Sequence, residues 1–215
     1  NVLDKVGNKG DNVVYLDFTP SNNNYAVLSN VETILTVDAK DITVSITPNG
    51  GTYGGDIVGS TATVIEHVDV TAPTVTLTYT GTANDGSKYN STTVPTKAGT
   101  YTVTATIADT NYSIEKTTDT FVVARKDANI TNTLAASTDY TGSTIDVTNM
   151  FTLDHNESSL SYTYKYNGGS IGSIKNAGTY TIVVSAAQSA NYNIVSTDPI
   201  TFVVNKISPN LTYTG

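Results

Sequence analysis

The sequence predicts an all-β protein made of short antiparallel strands that pack as β-sandwich domains and recur along the chain. Three observations predict this fold. Apolar residues alternate with Thr at a period of two, and Gly- and Asn-rich turns separate these stretches every ten or so residues. A pattern of about 80 residues also repeats along the chain. No window of a dozen residues carries a 3.6-residue apolar stripe, so we expect almost no helix.

The repeat is clearest between residues 97–126 and residues 175–206. Both stretches open with Ala-Gly-Thr-Tyr-Thr, continue to an Asn-Tyr pair and close with Thr-Phe-Val-Val. A weaker copy at residues 10–40 contains Asn24-Tyr25, has Gly10-Asp11-Asn12 in place of the Ala-Gly-Thr opening, and closes with Leu35–Val37. A Tyr-x-Gly tripeptide near the start of each unit begins at Tyr53, Tyr140 and Tyr213.

These landmarks predict the domain bounds. Residues 1–40 are expected to be the C-terminal half of a preceding repeat, and residues 41–126 and 127–206 two complete repeats. Residues 207–215 are expected to start a following repeat, which makes the chain a segment of a longer array. The junctions at Lys40-Asp41 and Arg125-Lys126-Asp127 lack Gly/Ser tracts, so we expect a semi-rigid rod.

Alternation predicts which side chains are buried in each strand. The apolar residues of Tyr101–Ile107 should form one buried face, as should Tyr180, Ile182, Val184 and Ala186. In the partial unit, Val14, Leu16 and Phe18 should face inward. Further predicted strands are Thr43–Thr47, Thr61–Val68, Thr74–Thr80, Glu115–Val123, Leu160–Tyr166 and Ile194–Val204.

Tyrosine is expected to do part of the core packing, because the chain has 14 Tyr, no Trp and no Cys. The Asn before Tyr25, Tyr112 and Tyr192 is interpreted as a turn residue, followed by a Tyr that anchors the end of the domain; a ligand-binding role for these Tyr is the alternative. Tyr162, Tyr164 and Tyr166 alternate onto one face, which is either core or a binding platform.

Composition excludes several classes of function. A net charge of −8 argues against binding of a phosphate backbone. No apolar run is long enough to span a bilayer, and the lack of cysteine removes disulfides and zinc–thiolate sites. A Thr-rich, acidic, cysteine-free β chain favours an extracellular location.

No residue is assigned a catalytic, cofactor-binding or metal-ligating role. Glu66-His67 with Asp69 is interpreted as a solvated strand edge, because alternation puts Glu66 and His67 on opposite faces. Asp154-His155-Asn156-Glu157-Ser158 has the spacing that begins a calcium loop, but Ser159 and Lys165 stand where Gly and Glu are needed. The chain has no Gly-x-Ser-x-Gly motif, and the glycine-rich run 50–55 lacks a following Gly-Lys-Ser/Thr. We therefore expect no enzyme activity and no cofactor.

The succession of Tyr-x-Gly, Ala-Gly-Thr-Tyr-Thr-Val, Asn-Tyr and Thr-Phe-Val-Val ending in Lys resembles tandem immunoglobulin-like repeats of bacterial surface proteins, most of all the MBG-type repeats of adhesins and cell-wall proteins. The resemblance covers residues 41–206 well and 10–40 more loosely. It implies a stalk or spacer at the bacterial cell surface, with no shared catalytic residues. Some similar domains contain Lys–Asn isopeptide bonds, for which Lys126 and Asn205 are the pair to consider here.

The leading hypothesis is thus a non-catalytic stalk of tandem domains whose partners are the neighbouring repeats. A second hypothesis is a subunit of an extracellular fibre or surface lattice, assembled by strand exchange between copies of the chain. A third is a module that binds a glycan or host protein.

Overall fold

The computed structural model describes residues 7–67, 69, 71–115, 117–211 and 213. Within these ranges the fold is all-β, as predicted, and no α-helix occurs. A single turn of 3₁₀ helix, Thr148–Met150, lies between two strands.

The first two strands form an antiparallel hairpin (residues 10–37), which we call the hairpin. β1 is Gly10–Phe18 and β2 is Leu28–Val37. They make a sheet of their own, with a register shift between Leu16 and Phe18.

We call residues 41–126 the middle repeat; the next eight strands belong to it, and the first of them begins one residue earlier, at Lys40. They are β3 (Lys40–Thr47), β4 (Gly51–Thr52), β5 (Thr61–Ile65), β6 (Val75–Ala83), β7 (Lys88–Ser91), β8 (Gly99–Ile107), β9 (Tyr112–Ile114) and β10 (Thr117–Ala124). A five-stranded sheet has the order β4-β10-β8-β6-β7, and a three-stranded sheet has the order β5-β3-β9.

The last eight strands belong to residues 127–206, which we call the last repeat. They are β11 (Ile130–Asn132), β12 (Ser137–Asp139), β13 (Phe151–Leu153), β14 (Leu160–Tyr166), β15 (Gly169–Ile171), β16 (Gly178–Ala186), β17 (Val195–Ser196) and β18 (Ile200–Asn205). The larger sheet has the order β12-β18-β16-β14-β15, with β17 also paired to β16, and β11 pairs with β13.

The two larger sheets share one strand order. In each sheet a short first strand runs parallel to the last strand, β4 with β10 and β12 with β18. The hairpin reproduces the central pair of these sheets. The glycine that begins the strand faces a valine near the end of its partner in all three cases: Gly10↔Val37, Gly99↔Val123 and Gly178↔Val204.

Each repeat has its own buried apolar cluster. The cluster of the middle repeat contains Tyr79, Tyr101, Val103, Phe121 and Val123. The cluster of the last repeat contains Val147, Phe151, Ile174, Tyr180, Ile182, Val184, Phe202 and Val204. The buried faces predicted for Tyr101–Ile107 and for Tyr180–Ala186 are confirmed.

The structure explains the Ala-Gly-Thr-Tyr opening of each repeat. The tyrosine hydroxyl bonds to a backbone carbonyl that lies four residues upstream, just before the strand begins. The Tyr101 hydroxyl donates to the Lys97 carbonyl at 2.9 Å, and the Tyr180 hydroxyl donates to the Asn176 carbonyl at 2.6 Å. The preceding glycine is required by space, because a Cβ at Gly99 would lie 2.7 Å from the Cα of Ala83 on the adjacent strand. A side chain there would force the two strands apart.

The molecule exposes far more surface than a compact protein of its mass. Its accessible surface is 14314 Å², whereas a compact monomer of 22.6 kDa would expose about 9,500 Å². Some apolar side chains are therefore buried in small cores, and many others are exposed to solvent.

Several predicted strands have other bounds in the structure. The strand predicted as Thr61–Val68 ends at Ile65, because Glu66 adopts a positive φ of 66°; Val68 lies outside the described residues. The stretch Ile194–Val204 is two strands, β17 and β18, interrupted before Pro199, which has no amide to donate to a ladder. Leu160–Tyr166 is confirmed without change.

The inward orientation predicted for the hairpin is wrong for two of its three residues. Leu16 is 51% exposed and Phe18 is 59% exposed, and only Val14 is half-buried. The reason is the missing second layer, since no other sheet of the described residues covers the hairpin. Alternation selects one face of a strand, but burial of that face requires a packing partner.

The three tyrosines of β14 belong to the core. Tyr162, Tyr164 and Tyr166 are half-buried and pack against the cluster of the last repeat. The Tyr162 hydroxyl donates to the carbonyl of Thr148 at 3.0 Å. The core interpretation is therefore confirmed, and these rings do not form an exposed platform.

Candidate functional site

The acidic and histidine residues considered as chemical sites serve as turn and packing groups. Glu66 and His67 follow β5 in a turn, so the prediction that they occupy opposite faces of a strand is wrong. Asp154 accepts a hydrogen bond from the Asn129 amide at 3.0 Å. Within the described ranges, no three His, Cys, Asp or Glu side chains converge as a metal site.

The pair considered for an isopeptide bond has other contacts. Lys126 forms a parallel bridge with Tyr192, and its carbonyl accepts from the Asn193 amide at 2.9 Å. The side chain of Asn205 donates to Asp139 at 3.1 Å.

One kind of contact between consecutive parts of the chain occurs twice in the structure. We call the contact of the hairpin, together with the residue before it, with the middle repeat the first junction. There the side-chain oxygen of Asn111 accepts a hydrogen bond from the Lys9 amide at 2.8 Å. Asn111 itself belongs to the loop before β9, where its amide donates to the Asp109 carboxylate at 2.9 Å.

We call the contact of the middle repeat with the last repeat the second junction. The side-chain oxygen of Asn191 accepts a hydrogen bond from the Ala98 amide at 3.0 Å, and Asn191 is only 8% exposed. Further hydrogen bonds cross this junction, among them those of the Lys126 backbone with Asn191 and Asn193, both at 2.9 Å. Asn84 Nδ2 donates to the Ala190 carbonyl at 3.1 Å, and Arg125 Nε donates to the Ser189 carbonyl at 3.0 Å.

The two asparagine bonds join equivalent positions of the repeat. Lys9 and Ala98 each precede the glycine that begins a central strand, Gly10 in β1 and Gly99 in β8. Asn111 and Asn191 each precede the tyrosine of the Asn-Tyr pair. We call Asn111 and Asn191 the junction asparagines. Each loop thus binds the end of the part that precedes it.

A carboxylate braces each junction loop from within its own repeat. Glu157 accepts hydrogen bonds from the backbone amide of Asn191 at 3.1 Å, from its Nδ2 at 2.9 Å, and from Ser189 Oγ at 2.9 Å. In the middle repeat, the Tyr112 hydroxyl donates to the carboxylate of Asp69.

The bracing carboxylates come from an acid-His-x-acid motif that the sequence analysis treated as two unrelated clusters. Glu66-His67-Val68-Asp69 directly follows Ile65 of β5, and Asp154-His155-Asn156-Glu157 directly follows Leu153 of β13. Aligning the two histidines along the repeat would have revealed this motif before the structure.

Aromatic rings complete the second junction. The imidazole of His155 stacks on the ring of Tyr192 with centroids 3.8 Å apart and planes 8° from parallel. Tyr53 of the middle repeat approaches the same Tyr192 edge-on at 5.6 Å. Tyr192 is therefore held by a ring from each side of the junction, and its burial raises the pKa of its hydroxyl.

The expected role of the Asn-Tyr pairs is confirmed in part. Tyr112 is buried and Tyr192 is half-buried, as anchors should be, whereas Tyr25 is 69% exposed. The analysis of the sequence missed that the asparagines reach across a junction, because a single repeat does not show what lies beyond its end.

The electrostatics of the second junction center on two carboxylates. The hydrogen bonds from Asn191, followed by those from Ser189, lower the pKa of Glu157. On the opposite side, Lys97 forms an ion pair with Asp85 at 2.7 Å, which holds the pKa of that carboxyl well below its usual range. In the sequence this pair lies between Asn84 and Ala98, both of which donate to the last repeat.

We predict that acid weakens the second junction through Glu157. A carboxyl whose pKa is lowered by folding stabilises the fold above its ordinary pKa of 4.5, and this stabilisation is lost as the pH falls through the lower folded value. Glu157→Gln should therefore lower the denaturant midpoint of the last repeat near neutral pH. The difference from wild type should disappear well below pH 4.5.

The comparison with Glu157→Gln is needed because Asp85 and Asp146 also have lowered pKa values and contribute to acid sensitivity in both proteins. An equal difference in midpoint at neutral and acidic pH would contradict the assignment to Glu157.

Comparison with known families identifies one part of the chain. Residues 42–127 match the family model of the MBG domain, so this stretch is an MBG-type domain. The match coincides with the middle repeat to within one residue at each end. No curated protein matches the chain. No helix of the described residues is long and apolar enough to cross a membrane.

Proposed function

We propose that this chain is a non-catalytic spacer: a stalk segment of a bacterial cell-surface adhesin or cell-wall protein, in which immunoglobulin-like β-sandwich domains follow one another end to end. The observation that carries the proposal is the recurrence of one hydrogen bond, from Lys9 to Asn111 and from Ala98 to Asn191, at successive junctions. Fixed contacts at equivalent positions would give each pair of neighbouring domains the same relative orientation, which is what a rigid spacer requires.

The immunoglobulin-like part of the proposal is supported by topology and by the tyrosines. The larger sheets of the two repeats have the same strand order, and each repeat has an apolar cluster of its own. The Tyr101 and Tyr180 hydroxyls bond to carbonyls four residues upstream, a tyrosine-corner arrangement that is typical of immunoglobulin-like sandwiches. In this proposal the hairpin is the back half of a further domain of the same kind.

The bacterial cell surface is proposed on composition and on the MBG-type match. The chain is acidic and has no cysteine, so each small domain is stabilised by its core and hydrogen bonds alone. The neighbouring repeats are its partners, and the junction asparagines are the residues through which they act.

Solution scattering of the dilute chain tests this proposal. A compact protein of this length would have a radius of gyration of about 17 Å, and we expect a value well above it with an extended pair-distance distribution. A radius near that of a compact globule would contradict the stalk. A profile typical of a flexible chain of beads would contradict fixed junctions.

A further inference from the structure

The first strands of the two repeats differ in length and in pairing. β3 has eight residues and pairs on both sides, antiparallel with β5 through residues 43–47 and parallel with β9 through residues 40–42. β11 has three residues, and among the described residues it pairs with β13 alone. Where the middle repeat has the β3–β9 pairing, the last repeat has one isolated bridge, Lys126↔Tyr192. The first strand of the middle repeat therefore has the longer ladder of backbone hydrogen bonds.

The burial of side chains in the first strands shows the same difference. In β3, Ile42 is 6% exposed and Val44 is 3% exposed. In β11 no residue is buried, and Ile130 is half-buried against the cluster of the last repeat. Detachment of β3 therefore exposes two buried side chains and breaks a long ladder, whereas detachment of β11 exposes one half-buried side chain and breaks a short ladder.

The second strand of each repeat does not reverse this difference. β4 has two residues and runs parallel to β10, and β12 has three residues and runs parallel to β18. One backbone bond extends each pairing, from the Tyr53 amide to the Ala124 carbonyl and from the Tyr140 amide to the Asn205 carbonyl. The pairing in the last repeat is one residue longer, which is a small gain beside the shorter ladder of its first strand.

Tension along the chain acts on these strands first, because it enters each repeat at its first strand and leaves at its last strand, β10 or β18. A strand that is pulled along its own axis must slide past its neighbours, so the hydrogen bonds of its whole ladder resist together. A hairpin that is pulled apart at its open end breaks its pairs one after another. In β1 and β2 the pulled ends, Gly10 and Val37, face each other, so the hairpin opens in this second way.

We propose that the last repeat is the force-sensitive element of this chain and unfolds under tension before the middle repeat. This inference rests on the proposed stalk, since a segment between a cell surface and an attached partner carries tension. Detachment of β11 removes Ile130 from the apolar cluster and transfers the load to β12. The unfolded repeat then adds an extended chain of about 80 residues, which spans roughly 260–290 Å. This added length lowers the tension on the middle repeat.

Single-molecule pulling of the full chain tests the order of unfolding. A cysteine added at each end gives two unambiguous attachment points, because the chain has no cysteine of its own. Ten Gly and Ser residues inserted between Asn167 and Gly168, in the turn from β14 to β15, identify the last repeat, because its unfolding event becomes about 33–36 Å longer.

We expect the hairpin to open at low force, followed by one unfolding event for each repeat. The insertion should lengthen the event that occurs at the lower force of these two. Lengthening of the event at the higher force, or unfolding of both repeats at the same force, overturns the proposal.

A matched pair of variants tests whether the first strand sets the unfolding force. Val44→Ala truncates a buried valine in β3, and Val103→Ala truncates a buried valine in β8, which lies in the interior of its sheet. Relative to the loss of stability that each variant shows in denaturant, Val44→Ala should lower the unfolding force of the middle repeat more. Equal relative effects would show that overall stability sets the force and would overturn the role of the first strand. The insertion experiment uses neither substitution, so it decides the order of unfolding without them.

The stalk and the force-sensitive repeat fail in different measurements. Solution scattering reports the shape of the unloaded chain, whereas pulling reports the order in which the repeats unfold. An extended chain whose middle repeat unfolds first would overturn the force-sensitive repeat and leave the stalk intact. A compact chain would overturn the stalk and, with it, the source of the tension.

Discussion

Phe202→Ala is expected to unfold the last repeat while the middle repeat stays folded. Phe202 is 2% exposed in the cluster of the last repeat, and truncation of such a phenylalanine lowers the free energy of unfolding by about 3–5 kcal/mol. In a domain of about 80 residues a single hydrophobic core rarely supplies more than about 3–5 kcal/mol of stability. Because the two apolar clusters share no residue, the loss should stay within one repeat.

The matched variant is Phe121→Ala, the same position of the Thr-Phe-Val-Val motif in the middle repeat, where Phe121 stacks on Tyr101 at 5.7 Å. It should unfold the middle repeat and spare the last. Amide hydrogen exchange measures both, through strands β8 and β16 in one sample. Loss of protection in both strands with either variant would show one cooperative unit and would contradict independent domains.

Asn191→Ala is expected to loosen the second junction while both repeats remain folded. The substitution leaves the Ala98 amide without its acceptor and removes a donor from Glu157. An unsatisfied buried polar group costs about 1–3 kcal/mol, which here falls on the contact between the repeats. The Ala98 amide should therefore lose protection from hydrogen exchange, and residual dipolar couplings should report independent orientation of the two repeats.

Asn193→Ala is the control for this prediction. Asn193 lies two residues further in the same loop, but its side chain bonds to Asp127 at 2.7 Å within the last repeat. It should affect the loop without changing the relative orientation of the repeats. If Asn191→Ala leaves the dipolar couplings of both repeats in one common frame, the asparagine does not fix the junction.

Much of the fold could be predicted because its cause is local. The alternation in Tyr101–Ile107 predicted β8 and its buried face correctly. The Gly-rich turns predicted the strand ends to within a few residues. Prediction failed where another segment decides the outcome. Leu16 and Phe18 have the pattern of buried residues and remain exposed, because burial needs a second layer that alternation does not describe.

The candidate site was less predictable than the fold. The repeated Asn-Tyr pair was visible in the sequence, and its turn was interpreted correctly. Its hydrogen bonds to Lys9 and Ala98 join residues that are 102 and 93 positions apart. The link of Glu157 to Asn191 spans 34 positions. Such contacts depend on how whole sheets are placed, and no short motif encodes them.

The amino-acid sequence by itself determined most of the strands, the repeat of its motifs and the lack of disulfides, because residue periodicity, glycine and the lack of cysteine act over short distances or through composition. Only the tertiary structure decided which asparagine oxygen meets which backbone amide, and which apolar face is covered. The physical reason is that hydrogen bonds and close packing act over a few ångströms, so they depend on the folded positions of residues that are distant in the chain.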